Sequence, residues 1–194
     1  MAFFRTLTAA ETVPTLAGDG VTLRVPQMAD FTAWSVLREQ SRGFLQPWEP
    51  TWPQDDVSRL AYRRRIKRYV RELELDQAYP FFVFRHDGQL VGGVTISQIR
   101  RGVSQTCSIG YWMGERFAGK GHMSAAVRAL APFAFETLKL RRIEAACLPR
   151  NLASIRLLEK TGFVREGYAR EYLCIDGRWQ DHLLYALLRS DALG

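Results

Sequence analysis

The chain is short of the residues that build metal or disulfide sites. Its three cysteines (Cys107, Cys147, Cys174) are odd in number and far apart, and its three histidines (His86, His122, His182) show no ligand spacing with them. That pattern argues against a disulfide framework and against a zinc site, so no metal is expected. Cys107 and Cys147 fall in strand-like runs and read as small buried apolar residues. Long hydrophobic runs are missing as well. None approaches the roughly 20 residues needed to cross a bilayer. Arg5 and Thr6 cut short the apolar start at Phe3-Phe4, so neither a signal peptide nor a membrane partner is expected and the protein reads as cytoplasmic. Repeats, low-complexity tracts and long linkers are absent, which favours one domain. Acidic residues are outnumbered, 20 Asp and Glu against 27 Lys and Arg, giving a formal net charge of +7. Such a balance suits an acidic partner (a polyphosphate cofactor, RNA or an anionic surface) or simply serves solubility.

What is present is a globular composition, 47% hydrophobic over 194 residues, enough for one compact domain with a sizeable core. We read residues 1–19 as an irregular arm and 20–194 as the domain. Residues 21–25 alternate as a first strand, and Asp30 can cap a helix carrying Phe31, Trp34 and Leu37. The Pro- and Trp-rich segment 44–53 reads as a stiff loop, whose Trp48 and Trp52 either pack inward or line a recognition wall. A helix from residue 55 or 56 to about 76 carries a basic series from Arg63 to Arg71, a solvated face or a ridge for RNA. Two strands then turn at Asp87-Gly88, and a third runs from 105 to 113. A helix from about 121 through Leu138 contains Pro132, which is expected to bend it. A strand over 142–148 leads to a helix that starts at Pro149-Arg150-Asn151 and ends at Gly162. Two final strands, 163–175 and 179–188, join at Asp176-Gly177. The order predicts an α/β protein with helices packed on both sides of a mixed, mostly antiparallel sheet.

The most informative stretch is Arg116-Phe117-Ala118-Gly119-Lys120-Gly121-His122. A glycine-rich turn between a strand and a helix presents unpaired amides at the positive end of the helix, suited to phosphate. The glycines also fit a plain tight turn. A nucleotide-hydrolysing P-loop would need Ser or Thr after Gly119-Lys120, where Gly121 stands. A dinucleotide fold would want a third glycine near Ser124 and an earlier place in the chain.

Arg116, Gly119 and Gly121, followed about 30 residues later by Asn151 and Ser154, resemble the signature of the GNAT superfamily of acyl-CoA-dependent N-acetyltransferases. Three further stretches, 44–50, 167–173 and 175–182, are most similar to its RimJ/RimL group of ribosomal-protein-alanine N-acetyltransferases. The similarity runs from about Gly20 to the C-terminus. It implies acetyl-CoA as cofactor, with the 116–122 turn on the pyrophosphate and the strand residues Tyr111, Trp112 and Met113 beside the pantetheine arm. It implies Ser154 as general acid and Glu171 as general base. Read as residues alone, Ser154 equally suits helix capping, Glu171 a strand-surface carboxylate and Asn151 a cap as well as a cofactor contact; His122 suits packing or capping. Trp48, Glu49 and Trp52 are candidates for the acceptor wall, Glu49 to pair with the incoming amine. Tyr172 and Asp181 are further candidates for substrate binding; Asp181 and His182 read as sheet-end groups facing the acceptor cleft, without assigned roles. The resemblance implies transfer to the N-terminal α-amine of a protein, a ribosomal-protein alanine in this group. A small-molecule amine acceptor and a ribosome- or RNA-binding role for Arg63–Arg71 remain open, as does monomer against homodimer.

Overall fold

The structure, a computed structural model, describes residues 13–191. Its strands are β1 (Leu16–Gly18), β2 (Val21–Arg24), β3 (Tyr79–Arg85), β4 (Leu90–Arg100), β5 (Thr106–Met113), β6 (Arg142–Cys147), β7 (Val164–Ile175) and β8 (Arg178–Leu188). Its longer helices are α1 (Phe31–Gln40), α2 (Arg59–Glu74), α3 (His122–Pro132) and α4 (Leu152–Lys160). The strands form one sheet in the order β1-β2-β3-β4-β5-β6-β8-β7. Every neighbouring pair is antiparallel except β5 and β6, which run parallel.

That parallel pair positions everything that follows. It has three rungs, Thr106–Arg142, Cys107–Ile143 and Ser108–Glu144. β5 then continues to Met113 while pairing only with β4, and β6 continues to Cys147 while pairing only with β8. The sheet therefore splits between them, and the β5 edge from Ile109 to Met113 faces the gap. Alternation sorts the side chains around it. Cys107, Ile109 and Tyr111 share a face with Ile143, Ala145 and Cys147, and the Tyr111 hydroxyl meets Ser154 of α4 there. Trp112 points to the opposite face, where Arg38 of α1 lies over its ring at 5.1 Å.

Local chemistry sets the helix limits. Ser58 caps α2 by accepting the Ala61 N–H at 3.1 Å, so the helix begins at Arg59 and not at the aspartates 55 and 56, which precede it in a turn. Asp30 stands before α1 as expected, but its carboxylate is taken by Arg24 and by the Gln27 N–H instead of an α1 amide. Pro132 has no N–H to continue α3, and the chain passes into one π-helical turn, Phe133–Thr137, closed by Leu138 N–H to Phe133 C=O at 3.0 Å. Gly162, at φ +89°, ends α4: its N–H bonds Glu159 C=O and the Phe163 N–H bonds Leu158 C=O, the paired bonds of a left-handed helix end.

Two expectations shift. Part of the segment read as an arm belongs to the sheet, since Leu16–Gly18 pairs with β2; residues 1–12 of that arm lie outside the described residues. The segment 44–53, read as a stiff loop, begins within a helical turn, Arg42–Leu45, and continues in a 3-10 turn, Gln46–Trp48. Pro47 fits there because a first-turn residue has no intrahelical use for its N–H. The core lies between the sheet and its helices and includes Trp34, Tyr62, Phe81, Ile96, Leu130, Ile143 and Leu158, all under 3% exposed. The ring of Tyr62 locks α2 to α1, 5.6 Å from Phe31 and 4.7 Å from Trp34.

Candidate active site

The glycine turn leaves backbone amides unpaired in front of α3. Gly119 (φ +73°) and Gly121 (φ +85°) both take the left-handed conformation that disfavours a β-carbon. The first intrahelical bond of α3 is Ala125 N–H to Gly121 C=O, so the amides of His122, Met123 and Ser124 have no helical acceptor. A β-carbon at Gly119 or Gly121 would meet no atom within 4 Å; the space before these amides is open. A cavity of about 580 Å³ beside the turn is lined by Arg85, Lys120, His122, Arg128 and Lys160 among others. Burial, then the charges of Arg85 and Lys120, hold the His122 imidazole below its usual pKa. Arg116 is exposed and stacks 4.7 Å from the Phe117 ring, which is buried beneath the turn.

Across the split, the Tyr111 and Ser154 hydroxyls lie 2.6 Å apart. Ser154 sits in the first turn of α4, yet its hydroxyl does not cap the helix. Asn151 does that, its Oδ1 accepting the Ser154 N–H at 3.1 Å. The Ser154 hydroxyl is thereby left to the Tyr111 phenol, and the residue is 8% exposed. Burial pushes the Tyr111 phenol well above its ordinary pKa, against a lowering contribution from Ser154. Burial also pushes up the Cys147 thiol, again opposed by a hydrogen bond with Ser154. The sequence missed this trio of Tyr111, Ser154 and Cys147. Only the strand register reveals it, because the residues come from β5, α4 and β6.

The opposite face holds the acceptor-wall candidates, tied together by a side chain the sequence reading passed over. Arg38 is 6% exposed and forks onto Glu49 at 2.7 and 2.6 Å. Its guanidinium lies 4.0 Å over the Trp52 ring, and Trp52 donates its indole N–H to Glu49 at 2.7 Å. The Glu49 carboxylate is thus occupied within the protein and does not stand free for an incoming amine. A signal was available: Trp34, Arg38 and Ser41 recur at helical spacing, so Arg38 had to share the buried face. Arg150 donates to Gln180 Oε1 at 2.9 Å and to Pro47 C=O at 3.2 Å, with Trp48 5.4 Å away. The Asp176 N–H bonds Glu49 C=O at 2.9 Å. Trp48 and Trp52, both half-buried, therefore sit on a segment stapled to the β7–β8 hairpin.

Along that hairpin the ladder is irregular. Ala169 pairs with His182 and Leu173 with Gln180, so residues 170–172 bulge opposite Asp181. Glu171 is at the bulge, exposed and at φ +46°. Its N–H bonds Asp181 Oδ1 at 2.8 Å, and Tyr168 donates its hydroxyl to Asp181 Oδ2. The Tyr168 hydroxyl first, then that amide, hold the Asp181 carboxyl below its usual range. Tyr172 is exposed, its ring 5.8 Å from that of His182. The basic series on α2 is divided: Arg64 and Arg65 are paired with Asp55 and Asp56, and Arg68 with Glu72. Arg63, Lys67 and Arg71 are exposed along one stripe of the helix.

A family profile described as "Acetyltransferase (GNAT) domain" matches residues 21–164. A curated relative from Bacillus subtilis (strain 168), the probable N-acetyltransferase YjcK, is 40% identical over 177 residues, covering 91% of this chain and 98% of the relative. The [ribosomal protein uS5]-alanine N-acetyltransferase of Escherichia coli (strain K12) is 34% identical over 165 residues, covering 84% and 85%. Among solved structures, Mycobacterium smegmatis RimJ in complex with CoA-disulfide superposes with a TM-score of 0.86 at 32% identity, covering 92% of this chain and 87% of that one.

Proposed function

The chain belongs to the GNAT acetyltransferase family, and from that premise we propose that this N-acetyltransferase uses acetyl-CoA to acetylate the N-terminal α-amine of a cytoplasmic protein, a ribosomal protein with an N-terminal alanine. The observation that carries the cofactor assignment is the split sheet ending at an open anion turn. The unpaired β5 edge from Ile109 to Met113 suits an extended amide-bearing arm. The amides from Gly119 to Ser124 suit a pyrophosphate at its end. The acceptor class is supported by the relatives named for ribosomal-protein alanine acetylation and by the Trp48–Trp52 segment closing the other face.

Bound acetyl-CoA supplies an activated thioester; the chain's own groups position the partners and move protons. An α-amino group, with a pKa of about 7.7–8.0, is partly neutral near pH 7, whereas a lysine amine at about 10.4 is not. Modest base assistance therefore suffices, and Glu171, exposed at the cleft rim beside Tyr172, takes a proton from the ammonium through water. A backbone N–H between Tyr111 and Met113 steadies the carbonyl oxygen as charge gathers on it. Ser154 protonates the departing sulfur and regains its proton from solvent, while Tyr111, hydrogen-bonded to it, holds the hydroxyl in place.

The direct test is acetyl transfer to peptides beginning with Ala, Ser or Met, with free polyamines and amino sugars as controls. Thiol release with Ala-initiated peptides is expected. Tight acetyl-CoA binding without release by any α-amine would sink the proposal, and turnover confined to small amines would redirect it. Ser154→Ala is expected to lower kcat by about 100-fold. Helix α4 should stay capped in this variant, because Asn151 holds the backbone N–H of residue 154 and not its hydroxyl. Unchanged turnover would remove Ser154 from the proton path.

A further inference from the structure

His182 is only 3% exposed, yet the proton path above gives it nothing to do. It lies on β8 one residue before Leu183, whose rung with Cys147 is the last of β6. Strand alternation turns it away from Cys147 and Ser154, onto the face of Trp112, Arg38 and Trp52. Its Nδ1 is 2.9 Å from the Gln180 C=O. A carbonyl can only accept, so Nδ1 carries a proton, and in the neutral ring Nε2 is the nitrogen with the lone pair. Among the described residues, Nε2 has no hydrogen-bond partner. Gln180, which fixes the tautomer, is itself held by Arg150 against Pro47, beside Trp48. A buried imidazole with a fixed tautomer and a free basic nitrogen thus stands at the end of β6, on the acceptor side.

We propose that His182 Nε2 is a second proton acceptor in acetyl transfer, distinct from Glu171. The inference rests on the acetyl-transfer reading. An ammonium must lose two protons to become an amide nitrogen. Glu171, at the exposed rim, removes the first through water and frees the lone pair. As the N–C bond forms and the C–S bond breaks, the nitrogen's second proton passes to Nε2, while the sulfur takes its proton from Ser154 on the opposite face. His182 then returns its proton to solvent. The titratable groups tied to it are Tyr172 on β7, with its ring 5.8 Å away, and Asp181, its neighbour on β8, which Arg170 also influences; Arg150 reaches the Gln180 whose carbonyl holds Nδ1.

The test uses the full-length protein. Nitrogen-15 NMR of the imidazoles should show His182 as the Nδ1–H tautomer, with an Nε2 resonance that moves when an Ala-initiated peptide is added without acetyl-CoA. His182→Asn can keep a donor toward the Gln180 carbonyl while removing the base. It should lower kcat by about 100-fold, leave acetyl-CoA affinity unchanged, and remove one ionisation from the acid limb of the kcat–pH profile, with the remaining limb lost in Glu171→Gln. Wild-type kcat and an intact limb in His182→Asn would overturn the proposal. An Nε2 resonance indifferent to peptide would also overturn it, and that measurement stands even if the variant fails to fold. Absence of thiol release by the wild type with any α-amine would instead overturn the acetyl-transfer reading on which it rests.

Discussion

Gly119→Glu is expected to weaken acetyl-CoA binding by about 1,000-fold, or about 4 kcal/mol, while the protein stays folded. Two features separate these outcomes. A β-carbon at position 119 meets no atom within 4 Å, so no packing is displaced, and the penalty to the fold is the left-handed strain at φ +73°, about 1–2 kcal/mol. The new carboxylate, however, occupies the space in front of the α3 amides and presents a negative charge where the pyrophosphate has to lie. Calorimetric titration with acetyl-CoA, alongside urea unfolding, reads the two effects apart. Affinity within about tenfold of the wild type would mean the phosphates bind elsewhere; the value of 1.4 kcal/mol to which tenfold corresponds is too small for a charge clash at that position.

Glu49→Ala is expected to destabilise the protein by about 3 kcal/mol. Arg38 and Glu49 have side-chain exposures of 7% and 20%. Removing the carboxylate leaves a buried guanidinium between two indole rings, with Asp56 Oδ2 at 3.8 Å as its nearest remaining anion. The guanidinium Nε already lacks a partner, so little remains to compensate. The matched control is Glu39→Ala. That carboxylate forms an equally short pair with Arg42, but at 53% exposure, where solvent screening leaves the loss much smaller than at Glu49. Urea denaturation of both variants makes the comparison. Equal losses would show that Arg38 swings onto Asp56 without strain. Because Glu49 C=O also receives the Asp176 N–H, loosening this segment should raise the KM of the acceptor peptide more than that of acetyl-CoA.

Most elements were legible because their signals are local. Asp-Gly turns marked both hairpins, Gly162 marked the end of α4, and the Gly119/Gly121 spacing marked the left-handed turn before α3. The places where the sequence misled are those where a distant partner decides. Asp30 looked like a cap, but Arg24 claims its carboxylate. Glu49 looked like a free anion beside tryptophans, but a buried arginine from α1 takes it. Ser154 suited helix capping as well, but Asn151 is the residue that holds the amide there. Glu171 read as an ordinary strand position, whereas the bulge opposite Asp181 places it at φ +46°. No periodicity in one strand can report a bulge, since the extra residues are defined only against the partner strand.

The split between β5 and β6 also bears on what the protein must keep out. An unpaired strand edge ordinarily lies at the rim of a sheet, where any passing extended chain can join it. Here a second such edge lies inside the sheet, walled on one side by β6 and closed at one end by the three rungs from Thr106 to Ser108. Strands need about 4.7–4.9 Å each in the hydrogen-bonding direction, so the wall sets a width limit. An extended chain that lay along this edge would therefore do so between two strands of one sheet, and a folded neighbour that offered its own rim would meet β6 first.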